Sequence, residues 1–304
     1  MKNKLIIRLS NNIGNQMFMY ASAYAFAKKL NRELLVDDET AFKDKRNIYK
    51  YHLDIFSFHS KKAPINLRFL GMSGYLRRKA LKYLDKFRKT KNFYIEPKDI
   101  KKNTLFNKDA LIGDFKDSLY VEGHFETEKY FNNYSNEIRE EYIFKNTDSL
   151  KNNAFYKDIK NSNSVCICVR QHRFSERKRD ITKKDDENSL IFTKEQINYI
   201  KRAVDIIKTK VSNPKFFLWS NDYKNLNNYF SKNEYVTVST NKIDSDLFLM
   251  TQAKHFVVIP SSYNWWGAWL GENKDKIVLR PSDSHFSNFR LNNKDFWPKS
   301  WTEV

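Results

Sequence analysis

The chain has 304 residues, enough for two domains with a core each at roughly 100–200 residues per domain. Lysine and arginine outnumber aspartate and glutamate 55 to 36, a formal charge of +19, and 15% of residues are aromatic. That aromatic content excludes a disordered basic tail, and only 7 glycines and 6 prolines exclude collagen-like and linker-rich chains.

The start, Met1-Lys2-Asn3-Lys4, is basic, but its apolar run is short and ends at Arg8. No later stretch approaches the roughly 18 uncharged apolar residues a membrane span requires, so the chain reads as cytoplasmic. Residues 5–9 predict a strand, 10–16 a polar turn, and the next residues a helix to Leu30, with Met17, Tyr20, Ala21, Tyr24 and Ala27 on one face. A second strand at 34–37 completes a β-turn-α-β unit, which implies a parallel sheet. The middle is less regular. Residues 75–91 form a basic amphipathic stretch in which Leu76, Tyr83, Leu84 and Phe87 are expected to face inward, and 119–121 read as a strand. A polar segment at 145–164 marks the boundary, and we place an N-terminal domain over 1–155 and a C-terminal domain over 156–304.

Beyond the boundary, strands at 165–169, 216–219, 235–238, 256–259 and 276–280 alternate with helices at 196–210, 226–230, 246–253 and 264–270. This alternation indicates a doubly wound α/β domain. Cys166 and Cys168 lie on one face of the first of these strands and read as packed, reduced thiols; no further Cys or His stands at zinc-ligand spacing.

Ligands of open parallel sheets bind beyond the carboxyl ends of the strands. The residues there are Arg170, then Ser220, Asn221 and Asp222, then Ser261 and Ser262. The two serines open a helix, where free N–H groups and hydroxyls suit a phosphate, although a serine cap is the plainer reading. The fork of Arg170 can grip two phosphate oxygens, or make a surface ion pair. Asp222 can accept hydrogen bonds from a guanine edge, or cap the next helix. Together they describe an anion site for a nucleotide diphosphate donor.

Four segments carry a resemblance: Ile13-Gly14-Asn15-Gln16-Met17-Phe18-Met19-Tyr20-Ala21; Glu122-Gly123 with Glu128-Lys129-Tyr130-Phe131; Asp246-Leu247-Phe248-Leu249-Met250; and Ser261-Ser262-Tyr263-Asn264-Trp265-Trp266-Gly267-Ala268-Trp269-Leu270. In order and spacing they resemble glycosyltransferase family 11, the α-1,2-fucosyltransferases. The resemblance implies a GT-B-like α/β fold, two Rossmann-like domains with parallel sheets facing a cleft, the first domain on the acceptor side and the second holding GDP-fucose. It implies inverting, metal-independent transfer of fucose to a galactoside hydroxyl of a bacterial surface glycan. Carried over, Arg170 would hold the pyrophosphate, Ser220 and Asp222 the guanosine side, and Ser261 and Ser262 the phosphates. Gly14, Asn15 and Gln16, with Glu122 and His124, would lie where fucose meets acceptor, making Arg170 and Asn15 the expected catalytic residues. The chain departs from the family where His-x-Arg-Arg-x-Asp is usual. It has Cys168-Val169-Arg170-Gln171-His172-Arg173, which retains the first arginine alone and leaves His172 or Arg173 as local substitutes.

Candidate general bases are Asp37, Asp38, the cluster Glu122, His124, Glu126 and Glu128, and His172. Asp244-Ser245-Asp246 has the form of a metal-binding pair, but its place ahead of a helix favours capping. The 75–91 stretch suits peripheral contact with anionic lipid, at the inner face of the membrane, or serves as a solvated helix. Residues 173–188, with Arg177, Lys178 and Arg179, are expected as a surface loop. Two alternatives stand beside the main reading: a transferase of the same fold with another donor or linkage, and a nucleic-acid-binding protein. The latter is disfavoured because the positive charge is spread along the chain and no binding module is recognisable.

Overall fold

The computed structural model describes residues 2–43, 49–103, 105–176, 178, 180–286 and 294–304, so Arg177 and Arg179 lie outside the described residues. The chain divides into two compact units: residues 1–145 with 293–298, and residues 146–292 with 299–304. The first stretch of unit 1 ends ten residues before the 155/156 division drawn from composition, and residues 293–298, assigned there to the C-terminal domain, cluster with unit 1.

Unit 1 runs β1 (Lys4–Arg8), α1 (Ile13–Lys29), β2 (Glu33–Asp37), β3 (Lys61–Lys62), α2 (Gly71–Leu84), β4 (Lys91–Ile95), α3 (Lys98–Asn103), β5 (Phe115–Glu122) and α4 (Ser135–Glu141). Its five strands are all parallel, in the order β3-β2-β1-β5-β4. Helix α1 is buried nearly all round rather than on one stripe; Asn15 and Tyr24, the latter expected on the inward face, are half-buried, and Lys28 and Lys29 are exposed at its end.

Helix α2 departs most from expectation. It stops at Leu84, and the four residues expected inward are exposed. A Cβ at Gly74 would meet the Phe69 backbone at 2.4 Å, and Arg78 and Lys82 reach inward to Glu122. These contacts fix the helix rotation and turn the apolar stripe outward. The end of the same basic stretch, Lys91, opens β4.

Unit 2 runs α5 (Thr147–Lys151), α6 (Ala154–Asn161), β6 (Asn163–Val169), α7 (Lys183–Lys210), β7 (Pro214–Ser220), β8 (Tyr235–Thr237), α8 (Ile243–Thr251), β9 (His255–Val257), α9 (Ser262–Leu270), β10 (Val278–Arg280) and β11 (Thr302–Glu303). The parallel sheet has the order β11-β10-β9-β6-β7-β8, the arrangement of doubly wound dinucleotide-binding sheets, with its switch point between β6 and β9. Helix α7 begins 13 residues before the predicted 196. Its start carries a capping box, in which the Thr182 and Asp185 side chains exchange bonds with each other's backbone. The expected loop is therefore helical over its last third.

Cys166 and Cys168 are buried free thiols on β6. Two of the four signature segments meet by packing: a Cβ on Gly267 of α9 would stand 3.0 Å from Cβ of Met250 on α8. Trp265 and Trp266 are fully buried, with Trp265 against the Trp301 ring. These residues build the core of unit 2.

Candidate functional site

In unit 2 the polar residues gather at the carboxyl ends of β6, β7 and β9. Gln196, fully buried on α7, brackets Arg170: its Oε1 accepts from the Arg170 N–H at 3.1 Å, and its Nε2 donates to the Arg170 carbonyl at 2.9 Å. The Arg170 side chain pairs with Glu176. Glu176 follows a turn in which His172 has φ +55° and its carbonyl accepts from the Glu176 N–H at 2.8 Å. Phe174 anchors that turn on α7, with its N–H donating to Ser189 Oγ at 3.1 Å and its ring edge-on to Phe192.

The end of β7 is tied to the same loop. Asn221 accepts from the Gln171 N–H at 2.8 Å and returns a bond to its carbonyl at 3.0 Å. The Ser220 hydroxyl donates to the Asp222 carbonyl at 2.5 Å. Asp222 accepts from the Lys224 N–H at 2.9 Å and lies 2.9 Å from His172 Nε2; these two contacts hold its carboxyl below the usual range. It remains about a third exposed at the side chain.

At the end of β9, Ser261 stands at the N-cap of α9, yet its side chain makes no capping bond. The hydroxyls of Ser261 and Ser262 have no protein partner among the described residues, and both residues are half-buried. The plain capping reading therefore does not apply. Arg173 donates to the Pro260 carbonyl at 3.2 Å and lies over the Phe192 ring, which puts a second guanidinium beside this helix start. Arg170 and Ser261 follow the two strands that flank the switch point.

In unit 1 the α1 start meets the segment after β5. Gln16 is fully buried; it donates to the Asn11 and Lys50 carbonyls, each at 2.7 Å, and accepts from the His52 N–H at 3.0 Å, so it ties loops together. Gly14 is buried beside it. Asn15 donates to Glu126, and Asn11 Nδ2 lies 2.6 Å from His124 Nε2. Burial, with Lys101 nearby, pushes His124 down to about 3, so its imidazole is neutral near pH 7. Glu96 accepts from the backbone N–H groups of His124 and Phe125, at 2.6 and 3.1 Å. A Cβ on Gly123 would stand 2.5 Å from Glu96 Cβ, which explains a glycine at that position.

The remaining carboxylates are occupied. Glu122 takes both nitrogens of the Arg78 fork and Lys82; burial raises its pKa, but these cations more than offset that and hold it below the usual range. Asp37 is fully buried and accepts from Glu39, Thr40 and Tyr120, while Asp38 pairs with Lys62 and Arg68. Asp244 and Asp246 lie in the first turn of α8, where Asp246 accepts from Thr240. Among the described residues no group of three or more metal-ligating side chains gathers, and no helix is long and apolar enough to cross a membrane.

Two positioning residues escaped the sequence reading. Gln196 had a signal, a glutamine on the apolar face of a helix. Glu96, just beyond β4, had none beyond its place in the sheet.

Residues 75–304 match the glycosyl transferase family 11 pattern. The chain belongs to that family. Among curated proteins, this family 11 chain is 25% identical to the Alpha-1,2-colitosyltransferase of Escherichia coli, over 99% of this chain and 98% of that one. It is 24% identical to the O-antigen biosynthesis glycosyltransferase WbnK of Escherichia coli, over 90% and 92%. Its fold is GT-B-like and similar to that of NodZ α-1,6-fucosyltransferase soaked with GDP-fucose, at 11% identity, TM-score 0.54, and 89% and 93% coverage. It is similar too to a mutant of Arabidopsis thaliana FUT1 in complex with GDP, at 14% identity, TM-score 0.56, and 99% and 76% coverage.

Proposed function

We propose that this family 11 glycosyltransferase transfers fucose, or a close 6-deoxy relative, from its GDP ester to a galactoside 2-hydroxyl of a bacterial surface glycan, with inversion and without a metal. The observation that carries the reading is the placement of Arg170 and of the unbonded Ser261 and Ser262 hydroxyls at the two strand ends flanking the unit 2 switch point. That is where a doubly wound sheet receives a diphosphate. As the C1–O bond breaks, negative charge grows on the leaving diphosphate. The Arg170 guanidinium and the N–H groups at the start of α9 meet that charge, with Arg173 standing in for the family's second arginine. Asp222, still partly open, is our candidate reader of the guanine edge.

On the acceptor side we assign the Asn15 region. Glu126, oriented by the Asn15 amide, is the group there suited to take the acceptor proton, since His124, pushed down to about 3 by burial, is too weak a base. The match to a colitosyltransferase supports a second donor, GDP-colitose, whose sugar is fucose without its 3-hydroxyl. Incubation with GDP-fucose and GDP-colitose over a galactoside panel, in buffer containing EDTA, followed by linkage analysis, tests all of this. An α-1,2-linked product supports the reading. No turnover and no binding of either donor overturns it, and loss of activity in EDTA overturns the metal-free step.

The outward stripe of α2 supports peripheral membrane contact. Met72, Leu76 and Tyr83, with Phe87 just beyond, are 57–74% exposed, and Lys79, Lys86, Arg88 and Lys89 flank them without a carboxylate partner among the described residues. Anionic lipid suits this chemistry, at about 1 kcal/mol per cation. Co-sedimentation with phosphatidylglycerol vesicles is expected, weakened by Leu76→Glu with Phe87→Glu. Sedimentation indifferent to those changes and to salt rejects the contact.

A further inference from the structure

Unit 1 has its own switch point, between β1 and β5, and a cavity of about 720 Å³ borders it. Arg8, at the carboxyl end of β1, and Arg78 of α2 line that cavity, with Phe69, Met72 and Tyr75 supplying apolar wall. The volume falls within the range of small-molecule sites, about 300–1,000 Å³.

The charges around it do not balance. Arg78 and Lys82 share Glu122, and Asp37, opposite Arg8 in the β1–β2 register, has its oxygens taken by Glu39, Thr40 and Tyr120. Lys43, also on the cavity wall, pairs with Glu39, so Arg8, Lys43, Arg78 and Lys82 are four cations against the three carboxylates Asp37, Glu39 and Glu122. Arg8 is the one left over: its Nε is buried without a hydrogen-bond partner, and it has no ion pair among the described residues. A buried guanidinium nitrogen left unsatisfied is costly, at about 1–3 kcal/mol or more for a charged group. The apolar wall gives the carbon face of a sugar ring something to pack on. A free inorganic anion would leave that wall unused.

We propose that this cavity receives an oxyanion, a carboxylate or a phosphate, carried by the acceptor sugar, with Arg8 as its partner. This rests on the transferase reading above for the word acceptor, though not for the anion site itself. It makes the protein selective for acidic glycans. The diphosphate of the donor is assigned to unit 2, so this anion is a different one.

The test is equilibrium binding, without donor, of three galactosides: neutral lactose, a galactosyl-glucuronate, and a galactosyl-glucose 6-phosphate. The expected result is at least about 10-fold tighter binding of one or both acidic probes than of lactose, as a charge-assisted hydrogen bond provides. The better acidic probe identifies carboxylate or phosphate as the group received. Arg8→Gln should bring the acid-to-neutral ratio close to one, and Arg8→Lys should restore part of it. Because Arg8 ends a buried strand, Met72→Glu on the exposed rim is the second variant; it places a negative charge at the mouth and should lower the ratio with the melting temperature unchanged. Equal binding of acidic and neutral probes, or a ratio that Arg8→Gln and Met72→Glu leave intact, overturns the proposal. So does a loss of GDP affinity in Arg8→Gln with glycoside binding unchanged, which would assign the cavity to the nucleotide. Transfer from GDP-fucose and GDP-colitose to the same probes is measured alongside: acid-selective binding with no transfer to any probe keeps the anion site and removes the transferase reading.

Discussion

The carboxyl edges of the two sheets carry similar residue types under opposite conditions. In unit 1 the acids Asp37, Asp38 and Glu122 are buried and held by protein partners, Asp38 by ion pairs with Lys62 and Arg68. In unit 2 Arg170 and Asp222 pair with groups on a neighbouring loop, and Ser261 and Ser262 keep their hydroxyls open. The number of partners marks the difference: Glu122 answers Arg78 and Lys82, and Asp38 answers Lys62 and Arg68, whereas Arg170 and Asp222 each hold one ion pair that a ligand can displace. Unit 1 therefore commits these three acids to structure and leaves Arg8 as its unpaired cation, whereas the unit 2 groups stay within reach of the ligand proposed above.

Substitutions at the two edges should separate these roles, and the largest effect belongs to unit 1. Glu122→Gln leaves Arg78 and Lys82 without their shared carboxylate and should cost about 3–5 kcal/mol of stability, read by urea unfolding. The Glu122 carboxyl is held below its ordinary 4.5 in the folded state. Its contribution is therefore full above that value and lost as pH falls through the lower folded value. A Glu122→Gln protein as stable as the wild type would break the comparison at once.

Arg170→Ala acts in the other sense. Loss of a preorganised donor to the leaving diphosphate should lower kcat by about 10²–10³, or about 2.7–4 kcal/mol, with unfolding nearly unchanged. Near-full turnover at saturating donor would contradict the role assigned to Arg170. Gln196→Ala lies between the two: it removes both bonds that bracket the Arg170 backbone, and should cost about 1–3 kcal/mol of stability while weakening donor binding. A change in stability alone would make Gln196 a purely structural residue.

A pH profile sharpens the unit 1 side. His124 is held at about 3 against an ordinary 6.5, so as pH falls below 6.5 the unfolded chain takes up a proton that the folded chain does not. Stability should drop by up to about 1.4 kcal/mol per pH unit between 6.5 and 4.5, above the window in which Glu122 responds. His52 and His255 are also pushed down by burial, so the informative quantity is the difference from His124→Gln, whose slope should be shallower. Identical slopes would place His124 in contact with water.

What the sequence made legible follows the same division. Strand ends followed by polar residues located Arg170, Asp222 and Ser261, because a parallel sheet places strand ends at one edge whatever the packing. The alternation of unit 2 was readable for the same reason. The rotation of α2 was not, since it depends on the contact of Gly74 with Phe69 and on pairing with Glu122, neither of which hydrophobic spacing encodes. The early start of α7 had a local signal in Thr182 and Asp185, hidden within a charged run that resembles a loop. Arg8 became visible only through what fails to pair with it.

The smallest effect tests whether unit 2 exchanges partners at all. Glu176 occupies the Arg170 guanidinium and also lies 3.4 Å from Asn221 Nδ2, so a diphosphate must compete with it. The pair is about as enclosed as Arg78–Glu122, but it joins one cation to one carboxylate, and a glutamine there keeps an amide oxygen that can accept from Arg170. Glu176→Gln should therefore tighten GDP binding by a few fold, while costing less stability than Glu122→Gln. Weaker GDP binding in this variant would show Glu176 orienting Arg170 rather than competing for it, and the ion pairs of both edges would then be structural.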